Sequence, residues 1–109
     1  MERKGSVVVY CIAILTDQEQ EGQKSAEYIR NYCTEKHVFP LIEIYQKQEQ
    51  FFAQTLKTVP TVVFLELPGV SGLNAAEHFR SLYPKCGIIW CSDLDFSLHA
   101  FRMQIEYFL

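Results

Sequence analysis

Several familiar chemistries are missing from this 109-residue chain. No apolar stretch approaches the ~20 residues that a membrane-spanning helix needs, so no membrane contact is expected. Cys11, Cys33, Cys86 and Cys91 form no C-x-x-C pair. They read as reduced, buried small hydrophobes of a cytoplasmic protein rather than as disulfides. His37, His78 and His99 lack metal-ligand spacing. No G-x-G-x-x-G occurs, so Gly69 and Gly72 read as loop glycines and not as a nucleotide cradle. The net charge of −3 gives no reason to expect direct binding to nucleic-acid phosphates. Repeats, low-complexity tracts and linkers are absent. The most consequential gap lies in Val62–Gly72, VVFLELPGVSG, which contains no aspartate.

What is present is an ordinary globular composition, 49% hydrophobic and 21% charged, in one domain long enough to bury a core. Met1–Lys4 followed by the apolar Val7–Leu15 has the order of a signal peptide. The run is short, lacks an A-x-A site and leads into Asp17, Glu19 and Glu21, so it reads as a buried strand. Apolar and amphipathic segments then alternate. Asp17–Cys33 carries Gly22, Ala26, Ile29 and Cys33 at helical spacing, with acids in its first turn. Val38–Tyr45 alternates and bears Pro40, the mark of an edge strand. Gln48–Leu56 is a short helix with Phe51 and Phe52 on its apolar side. Thr61–Leu67 is a third strand, Leu73–Tyr83 a third helix, Ile88–Cys91 a fourth strand, Asp95–Met103 a fourth helix and Ile105–Leu109 a fifth strand.

Continuous apolar strands between amphipathic helices imply a parallel sheet covered on both faces. With right-handed crossovers this is an α/β doubly wound fold, a five-stranded flavodoxin-like sheet of order 2-1-3-4-5. A fifth helix would follow the last strand, and the sequence stops at Leu109 before it. In such sheets ligands and chemistry sit at the C-terminal edge, where Glu66 is delivered.

Four segments carry a more specific message: Ile12–Glu19 (IAILTDQE), Phe64–Gly72 (FLELPGVSG), Ile88–Asp93 (IIWCSD) and His99–Leu109 (HAFRMQIEYFL). Together they resemble the receiver domain of bacterial two-component response regulators, over essentially the whole chain. The Ala-Phe pair and the Tyr followed by an apolar residue most resemble regulators with a LytTR-type DNA-binding domain. The resemblance implies an acidic pair at the end of the first strand, where this chain has Thr16 and Asp17. It implies a phosphoacceptor aspartate on the third strand. Counting back from Pro68 puts Phe64 there; keeping the apolar strand in register puts Glu66 there, and the carboxylate is preferred. Ser92 matches the small hydroxyl residue of the fourth strand, and Tyr107 the switch aromatic. The family's Lys-Pro would begin one position after Leu109, so the chain reads as the N-terminal part of a longer regulator.

Receiver chemistry needs an aspartate nucleophile, a divalent cation, a hydroxyl and a lysine. A hard cation wants two or three carboxylates, and here Thr16 is neutral, so Asp17 offers at most a weak Mg2+ site. Glu66 is one methylene longer than aspartate, and misplacement of that size can cost ~10²-fold in rate. The expectation is a non-catalytic module without a cofactor, in which Glu66 either imitates a phosphorylated aspartate or is a solvated acid. Its work would be protein interaction and dimerisation in transcriptional regulation, with Leu98, Phe101, Arg102 and Tyr107 at or beside a two-fold contact and a histidine kinase or another signalling protein as further partner. Two alternatives stand beside it: a working phosphoacceptor receiver, and a flavodoxin-like small-ligand-binding domain using the same strand edge.

Overall fold

The computed structural model describes residues 10–90, 98–99 and 101–103. In chain order these residues form β1 (Cys11–Thr16), α1 (Glu19–Glu35), β2 (Leu41–Tyr45), α2 (Gln48–Thr55), β3 (Val62–Glu66), α3 (Gly69–Leu82) and β4 (Gly87–Trp90). The four strands make one parallel sheet of order β2-β1-β3-β4. Its two central strands, CIAILT and VVFLE, are almost wholly buried, which is why they read as unbroken apolar runs. β2 lies at an edge and alternates between exposed and half-buried residues, with Pro40 immediately before it. The expected edge strand is therefore found, shorter by three residues.

Period-two alternation sends the side chains of each strand to opposite layers. Ile12, Ile14, Val62, Phe64 and Ile89 pack with Ala26, Ile29, Tyr32 and Cys33 of α1. Ala13, Leu15, Val63 and Leu65 pack with Phe51 of α2 and with Ala75 and Phe79 of α3. Phe51, Phe64, Phe79 and Phe101 are among the largest fully buried side chains, and burying each contributes about 1.5–3 kcal/mol. α1 on one face with α2 and α3 on the other is what right-handed crossovers require for this strand order.

The termini of the helices follow from local chemistry. The Thr16 hydroxyl accepts the Gln18 N–H at 3.0 Å, so residues 17–18 turn and α1 begins at Glu19 rather than Asp17. At the other end His37 adopts φ 62°. Its N–H bonds the Thr34 carbonyl and that of Val38 bonds the Cys33 carbonyl, the paired closure of a Schellman motif.

One expectation lies outside the described residues and two need correction. Within the described residues the sheet has four strands, and the expected fifth, Ile105–Leu109, lies outside them. α3 starts at Gly69, four residues earlier than its periodicity suggested, which leaves only Leu67 and Pro68 between β3 and the helix. The third concerns the helical residues 98–99 and 101–103. A right-handed connection to a strand beyond β4 would carry its helix on the α2–α3 face. Instead Phe101 packs on the α1 face, with its ring 5.4 Å from Phe64 and 6.2 Å from Tyr32. Phe101 and Leu98 thereby cover part of the α1-face layer.

Candidate functional site at the C-terminal edge of the sheet

β1 and β3 run side by side in a register that pairs Thr16 with Glu66, so both residues end at the same edge. Both belong to the α1 face, following Ile14 and Phe64 by two residues. The axis of α1 lies close to this edge because Gly22 has no side chain. A Cβ there would stand 2.9 Å from the Thr16 methyl and 3.1 Å from that of Ile44. One turn further on, Ser25 faces the sheet and is buried.

Ser25 donates its hydroxyl to one Glu66 oxygen at 2.5 Å. The other Glu66 oxygen is buried and has no hydrogen-bond partner. Thr16 is close by, but its hydroxyl accepts from the Gln18 N–H and directs its own proton to the Gln18 carbonyl at 3.2 Å. Burial pushes the Glu66 carboxyl above its ordinary range. The Ser25 hydroxyl pulls it part of the way back, and the charges of Glu21 and Asp17 raise it further. Glu66 is thus neither solvated nor presented outward. It is a half-buried acid that ties β3 to α1.

The loop after Glu66 is fixed from β4. The Trp90 indole N–H donates to the Leu67 carbonyl at 3.0 Å. Gly72, buried on the first turns of α3, lies under that contact, and a Cβ there would stand 2.5 Å from Trp90 Nε1. Gly72 is therefore a packing glycine, not a loop former. Trp90 itself remains 42% exposed.

The expected site residues divide into three groups. Thr16 and Glu66 are adjacent. Asp17 is fully on the surface, next to them in sequence but turned to solvent. Ser92 and Tyr107 lie outside the described residues. Phe64, the alternative acceptor position, is fully buried in the α1-face core and offers no reactive group. Of the residues expected at a dimer contact, Leu98 is half-buried and Arg102 is exposed, stacked 5.3 Å from the Tyr32 ring centre. Phe101 is fully buried and is a core residue, not a contact residue.

A divalent cation fits this edge poorly. One Glu66 oxygen is taken by Ser25, Thr16 contributes no charge, and no three metal-ligating side chains converge among the described residues. Burial pushes the Cys33 and Cys86 thiols up, away from the reactive thiolate. The clearest cavity lies elsewhere, on the α2 face. It measures ≈ 90 Å³ and is lined by Cys11, Leu41, Glu43, Tyr45, Phe51 and Thr55 among others. Its lining includes none of Thr16, Asp17, Ser25 and Glu66. Among the described residues, no helix is long and apolar enough to cross a membrane.

Ser25 escaped the sequence reading, although a signal was present. It falls on the buried stripe Gly22–Ala26–Ile29–Cys33, and a hydroxyl on a buried stripe needs a partner. Comparison of the chain with protein-family models, with curated proteins and with solved structures finds no match.

Proposed function

We propose that this chain is a receiver-like signalling module that has lost phosphoryl-transfer chemistry and works through protein contacts in transcriptional regulation. The observation that carries the reading is the Ser25–Glu66 hydrogen bond. At the strand end where a receiver displays its acceptor, the carboxyl group is turned into α1 and held there. A nucleophile must present a free oxygen to the incoming phosphorus, with a cation beside it to offset charge in the transition state. Here one oxygen is engaged and the other is buried. The same bond disfavours the reading of Glu66 as an outward-reaching imitation of a phosphorylated aspartate.

A working phosphoacceptor would require Glu66 to leave Ser25 and swing past Thr16 toward Asp17. Beryllofluoride with magnesium tests this directly. The amide spectrum of the chain, followed by heteronuclear NMR, should not change around Thr16, Glu66 and Leu67. Saturable shifts of those amides would support the working receiver. Partnership with a second copy, a histidine kinase or another signalling protein belongs to the same proposal. With Phe101 in the core, Arg102 and Met103, exposed like His99, are the positions of that segment through which a second copy would be met.

A further inference from the structure

Among the described residues no strand pairs with the outer side of the edge strand β2, and its chemistry selects a partner. The Leu41 N–H donates to the Tyr10 carbonyl at 2.8 Å. In a parallel ladder this turns the backbone groups of Leu41, Glu43 and Tyr45 toward β1 and those of Ile42 and Ile44 toward the free side. Unpaired strand edges recruit other chains, and proteins commonly guard them with lysine, proline or covering elements. β2 carries no lysine, and Pro40 stands just before its first residue. The apolar surface around its start is large: Phe39 is 76% exposed and Leu41 60%.

The single charge on the strand is Glu43. It accepts the Tyr45 hydroxyl at 2.7 Å and has no ion-pair partner among the described residues. It also lies on the rim of the α2-face cavity, together with Leu41 and Tyr45. Glu43 disfavours a second copy as the occupant. A two-fold antiparallel pairing that uses both outward residues matches Ile42 with Ile44 of the copy. That register sets Glu43 directly against Glu43 at the closest spacing an antiparallel ladder allows. A cationic side chain at the same point gains what the copy loses.

We propose that the free edge of β2 takes up an extended segment of a partner protein that places a lysine or arginine opposite Glu43. The backbone of the segment bonds Ile42 and Ile44, and its apolar residues cover Leu41 and Phe39. The stem of the basic residue lies along the apolar part of the cavity rim, with its charge at the Glu43 carboxylate. This mode of strand addition takes affinity from the backbone and specificity from alternate side chains. It does not depend on the role of Glu66, which sits at the other end of the neighbouring layer.

The probe is a short capped, fluorescein-labelled peptide alternating threonine and valine around a central lysine, with a twin carrying glutamate at the centre. Binding to the full chain is read by fluorescence anisotropy and by hydrogen exchange of the Ile42 and Ile44 amides. The lysine peptide should bind and protect both amides. Glu43→Lys should weaken it about tenfold and strengthen the glutamate twin in compensation. Ile42→Pro removes an outward N–H while leaving the bonds to β1, and should abolish binding of either peptide. Binding of neither peptide, equal binding of both by the unaltered chain, or protection confined to other strands would overturn the proposal. So would self-association of Glu43→Ala without peptide binding, because Glu43 would then be only a guard against a second copy.

Discussion

Replacing Glu66 with glutamine should stabilise the fold at neutral pH. Glutamine keeps the shape and leaves Ser25 an oxygen to bond, and its amide can donate to the Thr16 hydroxyl oxygen, where the native acid has an unpaired oxygen. An unsatisfied buried polar group costs about 1–3 kcal/mol. Glu66 is only half-buried, and solvent screening reduces the gain to about 1 kcal/mol. For a domain of this size that is roughly 5 °C in Tm. The pH dependence identifies the cause. The folded carboxyl ionises above the range of the unfolded chain. Between the two values the folded state holds a proton that the unfolded state has lost, so this group's contribution is present at low pH. It is lost as pH rises from about 4.3 through the folded value, and is then constant. Thermal melts by circular dichroism across this range should therefore show the Glu66→Gln advantage growing with pH and closing toward zero near pH 4. A variant less stable than the parent at pH 7.5, with an unchanged pH slope, would refute the account of Glu66 as a half-buried acid with an unpaired oxygen.

Three further outcomes are expected. Gly72→Ala would force a methyl group against the Leu67 carbonyl and the Trp90 indole, breaking their hydrogen bond; melts should show a loss of about 3 kcal/mol, and emission of the chain's single tryptophan should shift to the red. Phe101→Ala should cost about 3–5 kcal/mol because the ring fills the layer between Tyr32 and Phe64; a loss below 1 kcal/mol would mean that this segment does not cover the α1 face. Sedimentation at micromolar concentration should show a dimer that Arg102→Glu with Met103→Asp disperses while circular dichroism shows the chain still folded; a monomer at all concentrations would remove self-association through this segment.

The sheet was legible because its central strands are buried on both sides, so their runs of apolar residues survive without alternation. The edge position of β2 was legible for the opposite reason, its alternation and Pro40. The start of α3 was not. Pro68-Gly69 reads locally as a turn, and only the Trp90 indole, more than 20 residues later, shows why Gly72 must be small and helical. The face chosen by the segment around Phe101 was also hidden, since amphipathic spacing tells which side of a helix is buried and not which side of a sheet it covers. At the candidate site, Thr16 and Glu66 were grouped by the receiver resemblance, and the register of β1 and β3 does set them side by side. Neither expected role of Glu66, phosphoaspartate imitation or solvated acid, included its tie to α1, because Ser25 reaches Glu66 across 41 positions of sequence.

The central claim is that Glu66 cannot serve as a phosphoryl acceptor while it is held by Ser25 at an edge where no three metal-ligating side chains converge among the described residues. Intact-mass spectrometry of the chain after incubation with acetyl phosphate and magnesium tests it most directly. The account predicts no phosphoryl adduct on the unaltered chain and none on Ser25→Ala, because releasing the carboxyl does not supply the missing ligands. A stoichiometric adduct that maps to Glu66 would contradict it.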